Sequence, residues 1–201
     1  MVKVNTPSIT LPSDPYFIVD LNVLTPILKL IDGWNKVTVN VIGAAGDADK
    51  FFEGGYADVL LPNATKIKDK AFYSDMDLQS VELPKATIIG TSAFNDCPYL
   101  TTVNMPSVEQ INTSAFENCY RLAHIELSNE LISINSRAFF NCENLALTEL
   151  PSGLTNIGDS AFSGCENLAL TELPSGLTDI GSRTFYNCPK LALTELPNGL
   201  I

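Results

Sequence analysis

The chain has one histidine, one tryptophan and 12 lysines and arginines against 23 aspartates and glutamates. That shortage of basic residues, with a formal net charge of −11, argues against nucleic acid as a partner, because neutralising phosphates takes clustered Lys and Arg. It argues equally against docking on an anionic membrane surface. Long apolar runs are also missing. None approaches the roughly 18 to 20 residues that span a bilayer, so no membrane insertion is expected. The first residues, Met1 to Pro7, lack the basic and apolar blocks of a secretory signal.

The residues of catalysis and metal binding are scarce or scattered. His124 is the only histidine and no Cys-x-x-Cys pair occurs, which leaves zinc without a ligand set. No calcium-loop pattern and no phosphate-binding glycine spacing is present. Isolated Ser, His and carboxylate residues show no triad arrangement. The sequence therefore names no cofactor, no metal and no catalytic residue.

What the chain does have is a period. Ala71-Phe72, Ala93-Phe94, Ala115-Phe116, Ala138-Phe139, Ala161-Phe162 and Thr184-Phe185 follow one another at 22, 22, 23, 23 and 23 residues. A fixed period of that length marks a solenoid, in which each repeat packs only on its neighbours. Aligned on Phe, the unit reads A-F-x-x-C-x-x-L-x-x-V-x-L-P, a spacer, then I-G or I-N. Leu78, Leu100, Leu122, Leu145, Leu168 and Leu191 fall six residues after each Phe, and Ile67, Ile89, Ile111, Ile134, Ile157 and Ile180 five before it. Apolar columns in fixed register form one core only if the coils stack in parallel. Burying each Phe is worth ~1.5–3 kcal/mol.

The five cysteines, Cys97, Cys119, Cys142, Cys165 and Cys188, each lie three residues after a Phe. An odd number at solenoid spacing is not a disulfide framework. They read as buried thiols acting as small apolar residues. The first unit has Asp75 in their place.

Within each coil a short strand such as Thr102–Met105 is expected, closed by a proline that has no N–H to give to a ladder. A segment such as Leu154–Gly158 runs along the opposite face. Ser160-Ala161-Phe162 then opens a helical turn or short helix, with Asp159 or Ser160 as N-cap.

These residues resemble the BspA-like, or treponemal-type, leucine-rich repeats, written roughly L-x-x-I-x-L-P-x-x-L-x-x-I-G-x-x-A-F-x-x-C. Leu150 to Cys165 matches almost column for column, and the resemblance covers about Val59 to Ile201. It implies an α/β repeat solenoid: a right-handed leucine-rich-repeat stack with a parallel concave sheet, short helices or helical turns on the other side, and an N-terminal helical cap. It also implies the surface or secreted proteins of bacteria and some protozoa that adhere to host tissue or other cells. It brings no catalytic residues.

Both ends depart from the unit. Residues 1–58 read as an N-terminal cap with a degenerate first repeat around Phe51 and Phe52. Leu21, Leu24, Ile27, Leu28 and Ile31 stand at helical spacing, and Val37–Val41 alternates as a strand does. Residues 59–201 read as the repeats, truncated within a coil at Leu196–Ile201. An uncapped coil exposes core and a strand edge, so continuation of the natural chain or end-to-end self-association is expected there.

Strand residues alternate between core and solvent. One outward column is Glu82, Asn104, Glu126, Glu149, Glu172 and Glu195. The other runs Ser80, Thr102, His124, Leu147, Leu170 and Leu193. Glu charges ~4.8 Å apart repel by roughly 0.8 kcal/mol per pair in water. The stripe therefore suits a basic, possibly host-derived, protein partner on the concave face. The plainer reading is a solubilising Glu copied with its repeat.

The leucines of the second column carry a register question. Thr148 takes the inward place held by Val81, Val103 and Ile125, so alternation sets Leu147, Leu170 and Leu193 outward as a contact patch. A local bulge would turn them inward instead. Two functions stand: a protein-interaction module of an adhesin, or a structural spacer whose working part lies elsewhere.

Overall fold

The computed structural model describes residues 58–61 and 64–200, together with the backbone of two short strands, Ile9–Thr10 (β1) and Val39–Asn40 (β2), which pair in parallel. β2 falls within the alternating Val37–Val41 run. The rest of the expected N-terminal cap, with its helical stretch and degenerate repeat, lies outside the described residues.

From Asp58 onward the chain winds into about six stacked turns with two parallel sheets. One has four strands, Asp58–Leu60 (β3), Ser80–Glu82 (β5), Thr102–Asn104 (β7) and His124–Glu126 (β9), in that order. The other has six: Lys66–Ile67 (β4), Ile88–Ile89 (β6), Gln110–Ile111 (β8), Ser133–Ile134 (β10), Asn156–Ile157 (β11) and Asp179–Ile180 (β12). Equivalent residues pair across coils, Val81 with Val103 and Val103 with Ile125. The apolar columns thus face one continuous core.

Along that core runs a spine of parallel rings. Successive centroids from Phe72 to Phe185 lie 5.0, 5.1, 5.3, 5.3 and 5.9 Å apart, with planes within 10° of parallel. The Phe side chains are fully buried except the last, which is partly exposed.

The side carrying the Ala-Phe pairs is not helical: among the described residues there is no helix, only turns. The reason lies in the backbone. In every coil the residue two before Phe and the residue two after it are left-handed, as Ser160 (φ 53°) and Gly164 (φ 79°) are around Phe162. Left-handed residues break a helix. They aim alternate N–H groups along the stack instead. Ser160, Phe162 and Gly164 donate to Ser182, Thr184 and Tyr186 carbonyls at 2.8–3.0 Å. The residues between them close short turns, Ala161 N–H to Gly158 C=O and Ser163 N–H to Ser160 C=O. Ser74 fills the second left-handed place in the first coil and Asp96, Asn118, Asn141, Gly164 and Asn187 fill it in the other five, five choices that fit the tolerance of Asp, Asn and Gly for that conformation. The expected N-caps do other work. Asp159 Oδ1 accepts from the Ser182 N–H at 2.7 Å and its hydroxyl at 3.0 Å, tying two coils together.

The difference between 22- and 23-residue coils sits in the turn between the two sheets. In the short coil Met105 and Val108 are both buried, and Val108 N–H closes on Met105 C=O. In the long one the turn runs from Leu127 to Leu131, and Leu131 N–H closes on Ser128 C=O. The corner keeps its geometry in both.

Candidate functional site

The outward column begins where the sequence placed it. Glu82, Asn104 and Glu126 occupy the last position of β5, β7 and β9 and are exposed, with Glu82 paired to Asn104 and Asn104 to Glu126. His124, at the start of β9, is exposed as well.

Past β9 the coils change. The Leu147 side chain packs against the core, Leu170 is fully buried and Leu193 is partly buried against the same cluster. The exposed positions are Thr148, Thr171 and Thr194. The outward leucine patch is therefore corrected: these three side chains point in, by the bulge alternative. The physical reason is a contest between register and burial. Keeping the alternation would bury a Thr hydroxyl and expose a Leu, whereas the one-residue slip gains Leu burial. The slip is visible in the backbone. Thr101 N–H bonds the Gln79 carbonyl at 2.8 Å, but Ala169 N–H bonds Leu147 C=O and Ala192 N–H bonds Leu170 C=O, each at 3.0 Å and one position further along the unit.

The slip costs the ladder. Thr148 and Glu149 both face out, as do Thr171 with Glu172 and Thr194 with Glu195, so strand alternation fails and the four-strand sheet ends at β9. A groove of about 1000 Å³ opens there, spanning the last four coils. Glu126, Glu149, Glu172 and Glu195 all line it, and none of its lining residues is basic. Of the sequence-predicted residues, Leu147 also contributes to the wall, while Glu82, Asn104 and His124 lie outside the groove. The far wall is Pro151, Pro174 and Pro197 with Ser152, Ser175 and Asn198. The sequence reading passed over this row, although its signal was the recurring Leu-Pro-Ser/Asn-Gly. Among the described residues no group of three or more His, Cys, Asp or Glu is placed to hold a metal ion.

The thiols are structural, with a role the sequence did not disclose. Each Sγ–H donates to the Phe carbonyl of the preceding coil: Cys97 to Phe72, Cys119 to Phe94, Cys142 to Phe116, Cys165 to Phe139 and Cys188 to Phe162, at 3.0–3.1 Å. Burial pushes the Cys119, Cys142 and Cys165 thiols well up from their ordinary range, and that of half-exposed Cys188 up as well. All five are free. In the first described coil Asp75 takes the thiol's place. Desolvation raises its carboxyl even though it accepts from the Asp77 and Leu78 amides at 2.9 and 3.1 Å.

Comparison with known proteins agrees with this architecture. A family described as BspA type leucine rich repeat region matches residues 65–200 in six copies. A leucine-rich repeat protein of Bacteroides ovatus is similar in structure, with a TM-score of 0.62 and 28% identity over 68% of this chain and 36% of that one. A protein described as a leucine rich cell surface protein, from Faecalibacterium prausnitzii, gives a TM-score of 0.59 and 25% identity over 81% of this chain and 52% of that one. A leucine-rich repeat protein of Eubacterium ventriosum shares the fold at a TM-score of 0.70 and 23% identity, covering 82% of this chain and 45% of that one. The chain thus spans between about a third and a half of each of these proteins. No curated protein matches it.

Proposed function

This chain belongs to the BspA-type leucine-rich-repeat family, and from that premise we propose that it is a non-catalytic protein-interaction module of a bacterial surface or secreted adhesin. Its Glu-bearing concave face binds a protein partner that presents Lys and Arg, one displayed by host tissue. The observation that carries this reading is the groove beyond β9, where Glu126, Glu149, Glu172 and Glu195 converge on one surface with no basic residue among them. Charge of a single sign, held on rigid coils, steers a partner of opposite sign and rejects like-charged ones. The surface placement is supported by the Faecalibacterium relative, itself described as a cell surface protein.

The test is a binding screen against extracellular-matrix and epithelial surface proteins, with the Glu126→Lys, Glu149→Lys, Glu172→Lys triple variant alongside. Because these side chains are exposed, the variant is expected to fold as the parent does by circular dichroism. Loss of binding in the folded variant, and weakening of parent binding with rising salt, are the expected results. Binding that survives charge reversal removes the Glu face from consideration. No binding by either protein favours the spacer reading.

A further inference from the structure

On this side of the stack, coils up to β9 use their peptide groups on one another. Beyond the paired strands, Leu61 N–H reaches the Glu82 carbonyl at 3.0 Å and Leu83 N–H the Asn104 carbonyl at 2.8 Å. The coils behind β9 keep only one such bond each, Ala169 N–H to Leu147 C=O and Ala192 N–H to Leu170 C=O, at 3.0 Å. No N–H from Ala146 to Leu150, from Leu170 to Leu173, or from Leu193 to Leu196 donates a hydrogen bond among the described residues.

Side-chain cover thins at one of these positions: Leu83 and Met105 are fully buried and Leu150 and Leu173 are 9% exposed, whereas Leu127 between them is partly exposed. A sheet edge therefore lies inside the body of the solenoid, opening into the groove, with a row of N–H groups behind it that find no acceptor among the described residues. Backbone polar groups are nearly always paired or hydrated. Here they are held in place by coils already ordered on their other sides, so ordering them costs a partner little.

We propose that this groove takes an extended, Lys- or Arg-bearing polypeptide segment whose main chain hydrogen-bonds to the peptide groups left free between β9 and the coils behind it. The inference rests on the interaction reading above and narrows it from a basic protein surface to a basic strand. An extended main chain offers alternating donors and acceptors at ~3.3 Å per residue, the recognition mode by which peptides add to open sheet edges. Its basic side chains then meet the carboxylates that line the groove, Glu126, Glu149 and Glu172 among them. The partly exposed Leu127, with Pro151 across from it, takes an aliphatic neighbour. Charge complementarity selects the occupant, since no lining residue is basic.

The probe is an acetylated, amidated octapeptide of alternating Lys and Val, titrated calorimetrically into the full chain. A second peptide of the same sequence carries N-methyl groups at alternate residues, keeping the charges and removing donors. Amide hydrogen exchange at Thr148, Glu149, Thr171 and Glu172 is followed with each. The expected results are binding of the first peptide, at least tenfold weaker binding of the second, and slowed exchange at those amides with the first only. Equal affinity for the two peptides, unchanged exchange on binding, or no binding up to millimolar peptide overturns the inference. If both peptides fail while a folded basic protein binds the parent and not the charge-reversed variant, the strand-capture inference falls and the Glu-face function stands.

Discussion

Replacing Phe116 by Ala tests the stacked spine at its centre. The ring is fully buried and lies between Phe94, 5.1 Å away at 4°, and Phe139, 5.3 Å away at 2°. Truncation removes both contacts and leaves a cavity that rigid neighbouring coils cannot collapse, so a loss of about 3–5 kcal/mol is expected. Phe116→Leu refills most of the space and forfeits the two ring pairs, for a loss of about 1–3 kcal/mol. At the end of the spine, Phe185 is only partly buried and touches one ring, at 5.9 Å, so Phe185→Ala should cost only about 1–1.5 kcal/mol.

Urea unfolding followed by circular dichroism measures all three. Because each coil contacts only its neighbours, the central truncation should also broaden or split the transition, lowering the apparent m-value. The end truncation should shift the midpoint alone. Equal costs at the two Ala sites, or a central loss below about 1 kcal/mol, would refute the picture of a continuous load shared along the spine.

Thiol labelling should modify Cys188 in the native protein and the other four cysteines only on unfolding, since those four are fully buried. Modification of Cys142 in the native state at the rate of a free thiol would contradict that burial. Because burial raises native thiol pKa values, the unfolded chain loses thiol protons first. Its contribution to stability is therefore full below about pH 8.5 and is lost as pH rises above that, readable as a falling urea midpoint. Gly158→Ala would set its Cβ 2.4 Å from the Ser136 backbone nitrogen, whereas the nearest atom at Gly153 is 3.3 Å away. The first substitution should cost about 2 kcal/mol or more and the second well under 1, and similar midpoints for the two variants would speak against the close coil approach at Gly158.

The architecture was readable in the sequence because its columns answer to a single demand, burial. Phe72 through Phe185, Ile67 through Ile180 and Leu78 through Leu191 recur in register and all face one core. The corners were less legible. Ser160-Ala161-Phe162 looks like the start of a helix when only local preference is weighed, yet the hydrogen bonds that decide it run to the next coil, 22 residues away. Lys70, Arg137 and Arg183 sit in left-handed conformations that no local preference predicts. Lys70 and Arg137 are held there by those same long-range bonds, to the Thr91 and Asp159 carbonyls.

The Glu column was placed correctly as a set of exposed side chains, but its gathering into a groove was not visible, because the groove follows from the slip at Leu147. In Leu145-Ala146-Leu147-Thr148-Glu149-Leu150 either register satisfies the alternation in part. Packing against the neighbouring coils then chooses. The thiol donors were hidden for a related reason: S–H is so weak a donor that its chemistry shows only once a carbonyl stands in front of it.

The one-residue difference between the Met105–Val108 and Leu127–Leu131 turns has a consequence for how such chains diversify and how they can be engineered. The corner cannot change length, since one added residue would exchange the amides that bond forward with those that bond back. The inter-sheet turn has already accepted an extra residue without disturbing either. Insertions directed to Asn129–Glu130, or to Ser152–Gly153 and Ser175–Gly176, should be absorbed as surface loops. Those loops would stand directly beside the groove. A solenoid of this kind can thus alter what it recognises by lengthening a hem, while the weave that keeps it standing stays as it was.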